Sequence, residues 1–338
     1  MSTDVEIVGA GVAGLCAAQA FIERGCRVRL ISASHGIDDS CCSWWAGGML
    51  APWCESESAE PLIFQLGLES LSYWQKHSQS IQQAGSLVVA LRRDRADFEQ
   101  FARRTDSFAR LDRTQMEAME PDIGNRFDMG LHYAEEAHLD PRQTLLGLLE
   151  SLRQNELFSI EFDRQLSEAE LASAPRTGWR IDCRGLAARD SLSDLRGVKG
   201  EMLILESREI SLQRPVRMLH PRHPIYIVPR ENQRFMVGAT MIESDDRSLA
   251  SARSVMELLS SAYGLHTGFA EAAVIEIGTD VRPAFTDNLP RLRRRGRAVY
   301  INGLYRHGFL CAPAMAQRAV ALVLDGKIDE DVVDENTD

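Results

Sequence analysis

The first thirty residues show the pattern of a buried strand, a glycine-rich turn, an alanine-rich helix and a second strand. Val5–Val8 is short and mostly apolar, and the helix predicted over Leu15–Arg24 ends at Gly25, a typical residue after a helix. Arg27–Ile31 alternates polar and apolar residues, which predicts a strand. The string Gly9-Ala10-Gly11-Val12-Ala13-Gly14 joins the first strand to the helix. This order predicts a βαβ unit.

The rest of the chain alternates between helical and strand periodicity. Helical spacing predicts helices over Pro61–His77, Asp94–Thr105, Thr144–Asn155, Ser248–Ala262 and Pro313–Leu324. Short apolar or alternating runs predict strands over Gly85–Leu91, Met129–Tyr133, Phe158–Arg164, Trp179–Cys183, Glu201–Glu206, Ile225–Pro229, Phe235–Gly238, Ile275–Asp280 and Ala298–Asn302. We expect the pair at 158–164 and 179–183 to return to the sheet of the βαβ unit, and the segment from 85 to 133 to belong to an inserted layer.

Composition narrows the class of protein. With 338 residues, 44% hydrophobic and 26% charged, the chain can form one large domain or two interleaved domains. No apolar run reaches the roughly twenty residues of a membrane-spanning helix. The net charge of −11 disfavours nucleic acid and acidic membranes as partners. The basic run Arg291–Arg297 is the exception, and we interpret it as a solvated turn rather than a nucleic-acid patch.

The seven cysteines are odd in number and lack the spacing of a disulfide framework. Met1 is followed by Ser-Thr-Asp and not by a basic and then apolar signal segment. We therefore predict a cytoplasmic protein with reduced thiols.

The glycine turn has the spacing of a dinucleotide site. Gly9 would permit the tight turn, Gly11 would let the backbone approach a pyrophosphate, and Gly14 would let helix and strand pack closely. The helix that starts near Val12 and Ala13 would direct its free N–H groups and its positive end at the phosphates. Because the string lies between a predicted strand and a predicted helix, it is strong evidence for such a site.

Ser32 and Ala33 follow the second strand, at the position where an acidic residue usually binds the ribose. A serine hydroxyl can replace only part of that contact, and Asp38 or Asp39 could supply the rest. A missing acid can also indicate NADP, but that cofactor would need an arginine close after the strand, and none lies between Ser32 and Trp45.

The segment around Asp140 allows two interpretations. Glu135, Glu136, His138 and Asp140 could be imagined as metal ligands, but their spacing matches no ligand motif. Asp140 followed by Pro141 is typical of a helix start, with Asp as the N-cap and Pro at the first helical position. We predict the helix cap and no metal site.

Several strings along the chain resemble the glycine oxidase family, within the wider D-amino acid oxidase and sarcosine oxidase group of flavoproteins. Besides the glycine turn, they are Ser43–Pro52, Glu136–Pro141, Gly197–Leu203, Tyr226–Arg230 with Val237–Thr240, Val281–Pro283 and Gly303–Ala314. The resemblance covers nearly the whole chain in order.

The resemblance implies an α/β fold in which a Rossmann-type FAD-binding domain is interleaved with an antiparallel-sheet substrate domain. The FAD-binding domain would comprise residues 1–80, 134–200 and 280–330, and the substrate domain residues 81–133 and 201–279. Residues 331–338 would be a frayed acidic tail. The resemblance also implies non-covalent FAD, a small amino-acid substrate, O2 as the acceptor, and a homo-oligomer.

The resemblance further implies site residues. Arg282 is similar to the arginine that pairs with the substrate carboxylate, Tyr226 to the tyrosine that borders the substrate pocket, and Arg306 to a second pocket residue beside the flavin. The implied flavin contacts are Cys42, Ser43, Ala46, Gly47, Gly48 and Met49, followed by Leu304, Tyr305, Arg306, His307, Gly308, Phe309 and Leu310.

The implied activity is oxidative deamination of glycine or another small amino acid, with O2 reduced to H2O2, for the thiazole of thiamine. Two alternatives stay open: a sarcosine or D-amino acid oxidase with another substrate range, and a non-catalytic FAD-binding assembly protein. Ser32 and the bulky Trp44-Trp45 pair motivate the second. A covalent flavin, as in some sarcosine oxidases, would need a suitably placed cysteine such as Cys311.

Overall fold

The computed structural model describes residues 3–173, 178–222 and 224–337. Within these residues the chain forms two large sheets, one two-stranded sheet and ten α-helices, numbered in chain order as β1–β18 and α1–α10. The helices are α1 Val12–Glu23, α2 Pro52–Glu55, α3 Pro61–His77, α4 Arg95–Arg104, α5 Arg113–Met119, α6 Pro121–Gly124, α7 Pro141–Arg153, α8 Glu168–Ala172, α9 Ala252–Leu265 and α10 Gly308–Asp325.

The first sheet has the order β18-β16-β17-β9-β1-β2-β8. Its strands are β1 Asp4–Val8, β2 Arg27–Ile31, β8 Phe158–Glu161, β9 Trp179–Asp182, β16 Arg291–Arg295, β17 Ala298–Asn302 and β18 Val333–Thr337. From β17 to β8 the neighbouring strands are parallel, so their carboxyl ends meet at one edge of the sheet. The predicted βαβ unit and its returning strands are confirmed. The predicted fold class is confirmed as well.

The structure corrects the predictions for two charged segments, the basic run and the acidic tail. Arg291–Arg297 is not a solvated turn, because its first five residues form β16. The predicted frayed tail at 331–338 is wrong for Val333–Thr337, which forms β18 parallel to β16, and its last residue lies outside the described residues. Arg293 lies between Asp194 and Asp334, and Arg295 pairs with Glu335. Either segment alone would be highly charged and exposed to solvent. Together, the arginines of β16 and the carboxylates of β18 neutralise each other across neighbouring strands.

The second sheet has the order β14-β10-β13-β12-β11-β4-β6-β5, with β15 on the other side of β10. Its strands are β4 Ser86–Ala90, β5 Ala109–Asp112, β6 Met129–Tyr133, β10 Arg196–Glu206, β11 Val216–Leu219, β12 Ile225–Arg230, β13 Arg234–Gly238, β14 Ile242–Glu243 and β15 Ala273–Ala284. β4 and β11 are parallel, and the other pairs are antiparallel.

The predicted domain boundaries at 200 and 280 fall inside β10 and β15, which form one long antiparallel pair with a register shift between Ile204 and Leu205. A short third sheet, β3 Met49–Leu50 with β7 Ala137–His138, lies beside the glycine-rich segment that the sequence analysis assigned to the flavin. At the start of α7, Asp140 accepts hydrogen bonds from the backbone N–H groups of Arg142 (2.8 Å) and Gln143 (3.1 Å), which confirms the predicted cap.

The helix α10 packs against α1 and α3 in the core of the first sheet. It starts at Gly308, five residues before the predicted start at Pro313, so a proline lies inside the helix. Pro313 has no N–H to give to the carbonyl of Phe309. The indole of Trp74 donates to that carbonyl instead, at 2.6 Å. Among the described residues α10 is the one helix long and apolar enough to cross a membrane, but 67% of it is buried in this fold, as in a core helix.

Candidate active site

A cavity of about 810 Å³ lies at the edge where the carboxyl ends of β1, β2, β9 and β17 meet. In parallel α/β sheets this edge is the usual place for a ligand. Each strand end contributes to its wall: Gly9, Ser32 and Cys183 directly follow β1, β2 and β9, and Asn302 is the last residue of β17.

The glycine turn has the geometry that its spacing predicts. Gly9 has φ +108°, and a Cβ there would lie 2.5 Å from the carbonyl oxygen of Cys183. At Gly14 a Cβ would lie 1.8 Å from the carbonyl oxygen of Gly9. Gly11 is different, because a Cβ there would meet nothing closer than the Ser43 hydroxyl at 3.3 Å and would project toward the cavity region. Gly9 and Gly14 are required by packing, while Gly11 leaves room for a ligand.

The N-terminus of α1 is open to an anion. Gly11 occupies the N-cap position without a side-chain cap, and the first turn contains no acidic residue. The N–H of Val12 donates to the hydroxyl of Ser43 at 3.1 Å, which brings the 42–47 segment against the helix start. This arrangement suits a phosphate group, since the helix dipole and the free N–H groups both favour negative charge.

Ser32 also lines this cavity and is buried. Its hydroxyl is hydrogen-bonded to that of Ser34 at 2.7 Å. Asp38, a candidate substitute for the missing acid, accepts from Ser40, and neither Asp38 nor Asp39 lines the cavity. A backbone hydrogen bond from Arg164 to Ser32 places the start of α8 on the same wall, including Glu168.

A second cavity of about 410 Å³ lies on the face of the second sheet. The two cavities share part of their walls, and we call this shared wall the junction. It consists of Ala46, Gly47, Tyr226, Arg282, Arg306 and Phe309. The structure therefore brings the three predicted substrate-binding residues together with the predicted flavin-facing segment.

Arg282 is held by its strand and by one carbonyl. It lies on β15, and its guanidinium occupies the space beside Gly200 on β10, where a Cβ would lie 2.2 Å from Nη2. Its Nη1 donates to the backbone oxygen of Thr240 at 3.1 Å. Among the described residues Arg282 forms no ion pair, so its other donors are available for a carboxylate ligand.

Tyr226 packs against two glycines at the junction. A Cβ on Gly47 would lie 2.9 Å from its ring, and a Cβ on Gly238 would lie 3.0 Å from its hydroxyl. Burial raises the pKa of the Tyr226 hydroxyl, so it is a neutral phenol at physiological pH. Arg230, at the end of the same strand, donates to the carbonyl of Gly47 at 2.7 Å and fixes this glycine from the other side.

A buried carboxylate, which sequence reasoning missed, organises the other side of the junction. Glu55 ends α2 and lies 2.6 Å from Arg217, 2.7 Å from Arg306 and 2.9 Å from Nε2 of His307. Burial alone raises a carboxyl pKa, but the two guanidinium groups and His307 hold the pKa of Glu55 well below its usual range. Glu55 is therefore an ionised positioning group and not a base.

A family model described as FAD dependent oxidoreductase matches residues 4–322 of the chain. The chain belongs to this FAD-dependent oxidoreductase family. A Rhizobium etli protein named as a thiamine biosynthesis oxidoreductase, ThiO, is 48% identical over 91% of this chain and 92% of its own length. The protein is thus a flavoprotein related to ThiO and glycine oxidases.

Solved structures show the same fold as this oxidoreductase. An iminodiacetate oxidase from Chelativorans sp. superposes with a TM-score of 0.79 at 22% identity, and covers 96% of both chains. Glycine oxidase from Bacillus cereus superposes with a TM-score of 0.78 at 19% identity, over 97% of this chain and 96% of that chain.

The larger cavity fits the FAD of this family. It joins the open N-terminus of α1, which suits a pyrophosphate, to the small residues Ala46 and Gly47 at the junction, where a Cβ on Gly47 would meet Tyr226. Val12, Ala13, Ala33, Cys42, Ser43, Leu304, Tyr305, Gly308 and Phe309 also line this cavity. Gly48, Met49, His307 and Leu310 line the smaller cavity instead.

Two residues that the sequence analysis considered for the flavin site, Gly14 and Cys311, lie outside the walls of both cavities. Gly14 acts in packing, as described above, and Cys311 is fully buried inside α10. The missed wall residues at the carboxyl ends of β9 and β17, such as Gly185 and Asn302, could have been found from the rule that ligands bind at carboxyl strand ends. The Trp44-Trp45 pair lies outside the junction, with both rings stacked on Arg142 at 4.8 and 5.1 Å, and Trp45 lines the larger cavity.

Proposed function

We propose that this oxidoreductase deaminates glycine or another small amino acid oxidatively, with O2 reduced to H2O2, and supplies the imine for the thiazole of thiamine. The arrangement of Arg282 at the junction supports this most directly. A planar guanidinium with free donors, beside a dinucleotide cavity, can hold a carboxylate so that the adjacent carbon faces the cofactor. The name of the Rhizobium etli relative supports the thiamine assignment.

The chain's own residues have distinct proposed tasks. Arg282 binds the substrate carboxylate, Tyr226 borders the substrate as a neutral phenol, and Arg306, fixed by Glu55, closes the junction. FAD, when bound, supplies the two-electron acceptor that protein side chains lack. Because an amine that enters deprotonated needs no strong protein base, the ionised and fully paired Glu55 is compatible with this chemistry. The proposed FAD contacts are those predicted residues that line the larger cavity: Gly9, Gly11, Val12, Ala13, Ser32, Ala33, Cys42, Ser43, Ala46, Gly47, Leu304, Tyr305, Arg306, Gly308 and Phe309.

Absorbance of the purified protein tests the proposal. We expect a flavin spectrum that anaerobic glycine, sarcosine or a small D-amino acid bleaches, and peroxide release when oxygen is admitted. Colourless protein that fails to bind added FAD, or bound flavin that no amine bleaches, would reject catalysis and favour a scaffold role. Faster turnover of a larger D-amino acid, with none of glycine, would reject the glycine assignment alone.

We also place the protein in the cytoplasm, since its seven cysteines are unpaired in the structure. Assembly into a homo-oligomer stays a prediction, which light scattering of the purified protein would test.

A further inference from the structure

The side chain of Arg282 crosses a neighbouring strand to reach its position. Its backbone lies on β15, opposite Val198 of β10, and its guanidinium lies over Gly200 of β10. Its Nη1 then donates to the carbonyl of Thr240, which lies along the other edge of β10. β10 therefore separates the strand that carries Arg282 from the carbonyl that holds it, and the direction of the guanidinium depends on the position of Thr240.

Little regular structure fixes Thr240. Strand β13 ends at Gly238 and helix α9 begins at Ala252, and the one strand between them is the two-residue β14, Ile242–Glu243. All residues of this segment, 239–251, belong to the part of the chain that the structure describes. Hydrogen bonds from β10 must therefore hold the Thr240 carbonyl in place.

Glu201 on β10 forms three hydrogen bonds with Thr240. Its backbone oxygen accepts from the N–H of Thr240 at 3.1 Å, its backbone N–H donates to the Thr240 hydroxyl at 2.9 Å, and its carboxylate Oε2 accepts from the same hydroxyl at 3.1 Å. The other carboxylate oxygen, Oε1, accepts from the N–H of Ser251 at 3.2 Å and lies 3.8 Å from the ammonium of Lys199. Because Glu201 is buried, breaking any of these bonds leaves a polar group without water and is costly.

Glu201 acts from the face of the sheet that is turned away from the site. Side chains alternate along β10, so that Gly200 and Met202 line the larger cavity while Glu201, between them, points to the opposite face. Neither Glu201 nor Thr240 lines either cavity. Any influence of Glu201 on a bound carboxylate must therefore pass through Thr240 and Arg282.

We propose that Glu201 is a positioning residue for the substrate carboxylate: it fixes Thr240, and the Thr240 carbonyl directs the guanidinium of Arg282 toward the junction. Gly200 belongs to the same arrangement, since the three atoms nearest to a Cβ there are Nη2, Cζ and Nη1 of Arg282, at 2.2–2.6 Å. The bond to Thr240 leaves the other guanidinium donors for a ligand. This inference rests on the proposed role of Arg282 in the amino-acid oxidase and adds the residues that orient it.

Acetate binding tests this role without turnover. We would titrate the FAD-loaded protein with acetate and follow the flavin absorbance. Thr240→Val removes the hydroxyl at nearly constant volume and should raise the acetate Kd about tenfold, whereas Thr240→Ser should restore most of the affinity. Glu201→Gln should raise the Kd about threefold, since an amide oxygen still accepts from the hydroxyl but more weakly than a carboxylate. The FAD content should stay unchanged, because neither residue lines the larger cavity.

A double variant separates positioning from general loosening of the fold. If Thr240 acts through Arg282, Thr240→Val should have no further effect on the acetate Kd once Arg282→Met has removed the guanidinium. The change in Tm caused by Thr240→Val should by contrast be similar with and without Arg282. As a control, Thr144→Val removes another buried threonine hydroxyl, which is hydrogen-bonded to Ser78 and Ser80, and should leave the acetate Kd unchanged.

The outcomes distinguish this inference from the proposed function. The inference alone is overturned if Arg282→Met weakens acetate binding but Thr240→Val does not, or if Thr240→Val weakens it equally with and without the guanidinium. FAD-loaded protein that binds no acetate, or binds it as tightly after Arg282→Met, overturns the proposed role of Arg282 and this inference with it. Should Thr240→Val not fold, Glu201→Gln decides, and an unchanged acetate Kd in that variant overturns the inference.

Discussion

The two cavities are built by different means. The larger one is formed by backbone: glycines, helix N–H groups and strand ends that lie close together because a βαβ unit is compact. The smaller one is formed by charged side chains from distant parts of the chain, such as Glu55 and Arg217, which are 162 residues apart. Steric fit therefore governs the first cavity, and charge balance governs the second. Substitutions that affect one cavity and leave the other intact test this comparison.

The largest effect is expected from Gly14→Ala, which should remove the larger cavity altogether. The new methyl group would lie 1.8 Å from the carbonyl oxygen of Gly9, so α1 must move away from β1. We expect loss of FAD and destabilisation of about 3 kcal/mol or more. The ratio of flavin to protein absorbance and the Tm measure both. In the control Gly147→Ala, on α7, the new methyl group meets nothing within 4 Å and should stabilise the protein by up to about 1 kcal/mol.

Arg282→Met should damage the smaller cavity and spare the larger one. Removing the guanidinium that pairs with the substrate carboxylate is expected to lower kcat/KM for the best substrate about a hundredfold, while the FAD content stays unchanged. Steady-state peroxide assays and the flavin spectrum report the two quantities separately. If the variant loses FAD as well as activity, Arg282 also supports the larger cavity, and the two cavities do not depend on separate residues at this position.

Glu136→Gln should reveal the cost of a buried carboxyl beside the smaller cavity. Burial raises the pKa of Glu136 from 4.5 to about 7, so the folded protein binds this proton more tightly than the unfolded chain does. Stability consequently falls as pH rises from about 4.5 to 7, and the amide removes that fall. At pH 8 the variant should gain about 3 kcal/mol in the free energy of unfolding, and at pH 4 almost nothing.

Denaturant titrations at the two pH values check this result. Glu150→Gln, an exposed change on α7, is the matched control and should alter the free energy of unfolding little. An equal gain for Glu136→Gln at both pH values would contradict a titrating buried group.

The smallest effect is expected from Cys311→Ala. Cys311 is fully buried in α10 and lines neither cavity, so the cofactor should be held without a covalent bond to it. Acid precipitation should release all flavin from the unmodified protein and from the variant alike, with a loss of stability of about 1 kcal/mol. Yellow colour that stays with the precipitated unmodified protein, but not with Cys311→Ala, would refute this.

The difference between the two cavities also explains which site residues could be predicted from the sequence. The glycine turn is a local motif, so its spacing alone predicted the tight turn at Gly9 and the close packing at Gly14, although the carbonyl that Gly9 packs against belongs to Cys183 after β9. Arg282, Tyr226 and Arg306 came from resemblance, and the structure gathers them at one junction. Glu55 and Arg217 carry no local signal, because an acid at a helix end and an arginine in a strand are ordinary until the fold pairs them.

The two corrections have a related cause. The basic run at β16 and the acidic end of the chain were each interpreted by their own charge, and each is typical of solvated segments when taken alone. In the structure Arg293 and Arg295 meet carboxylates of β18 and its neighbours, and Arg293 also stacks on Phe285 at 4.6 Å. Pairing between segments about forty residues apart is a tertiary effect that periodicity does not report.

The hydrogen bond from Trp74 to the carbonyl of Phe309 also provides an optical probe. This indole is fully buried and packs at 5.6 Å on Phe309, a residue of the junction. Emission from a tryptophan in that position overlaps flavin absorption, so cofactor loading should quench it by energy transfer. Comparison of the unmodified protein with Trp74→Phe would isolate this signal from the four other tryptophans. The fluorescence of Trp74, whose indole replaces the N–H that Pro313 lacks, should thus report whether FAD fills the larger cavity.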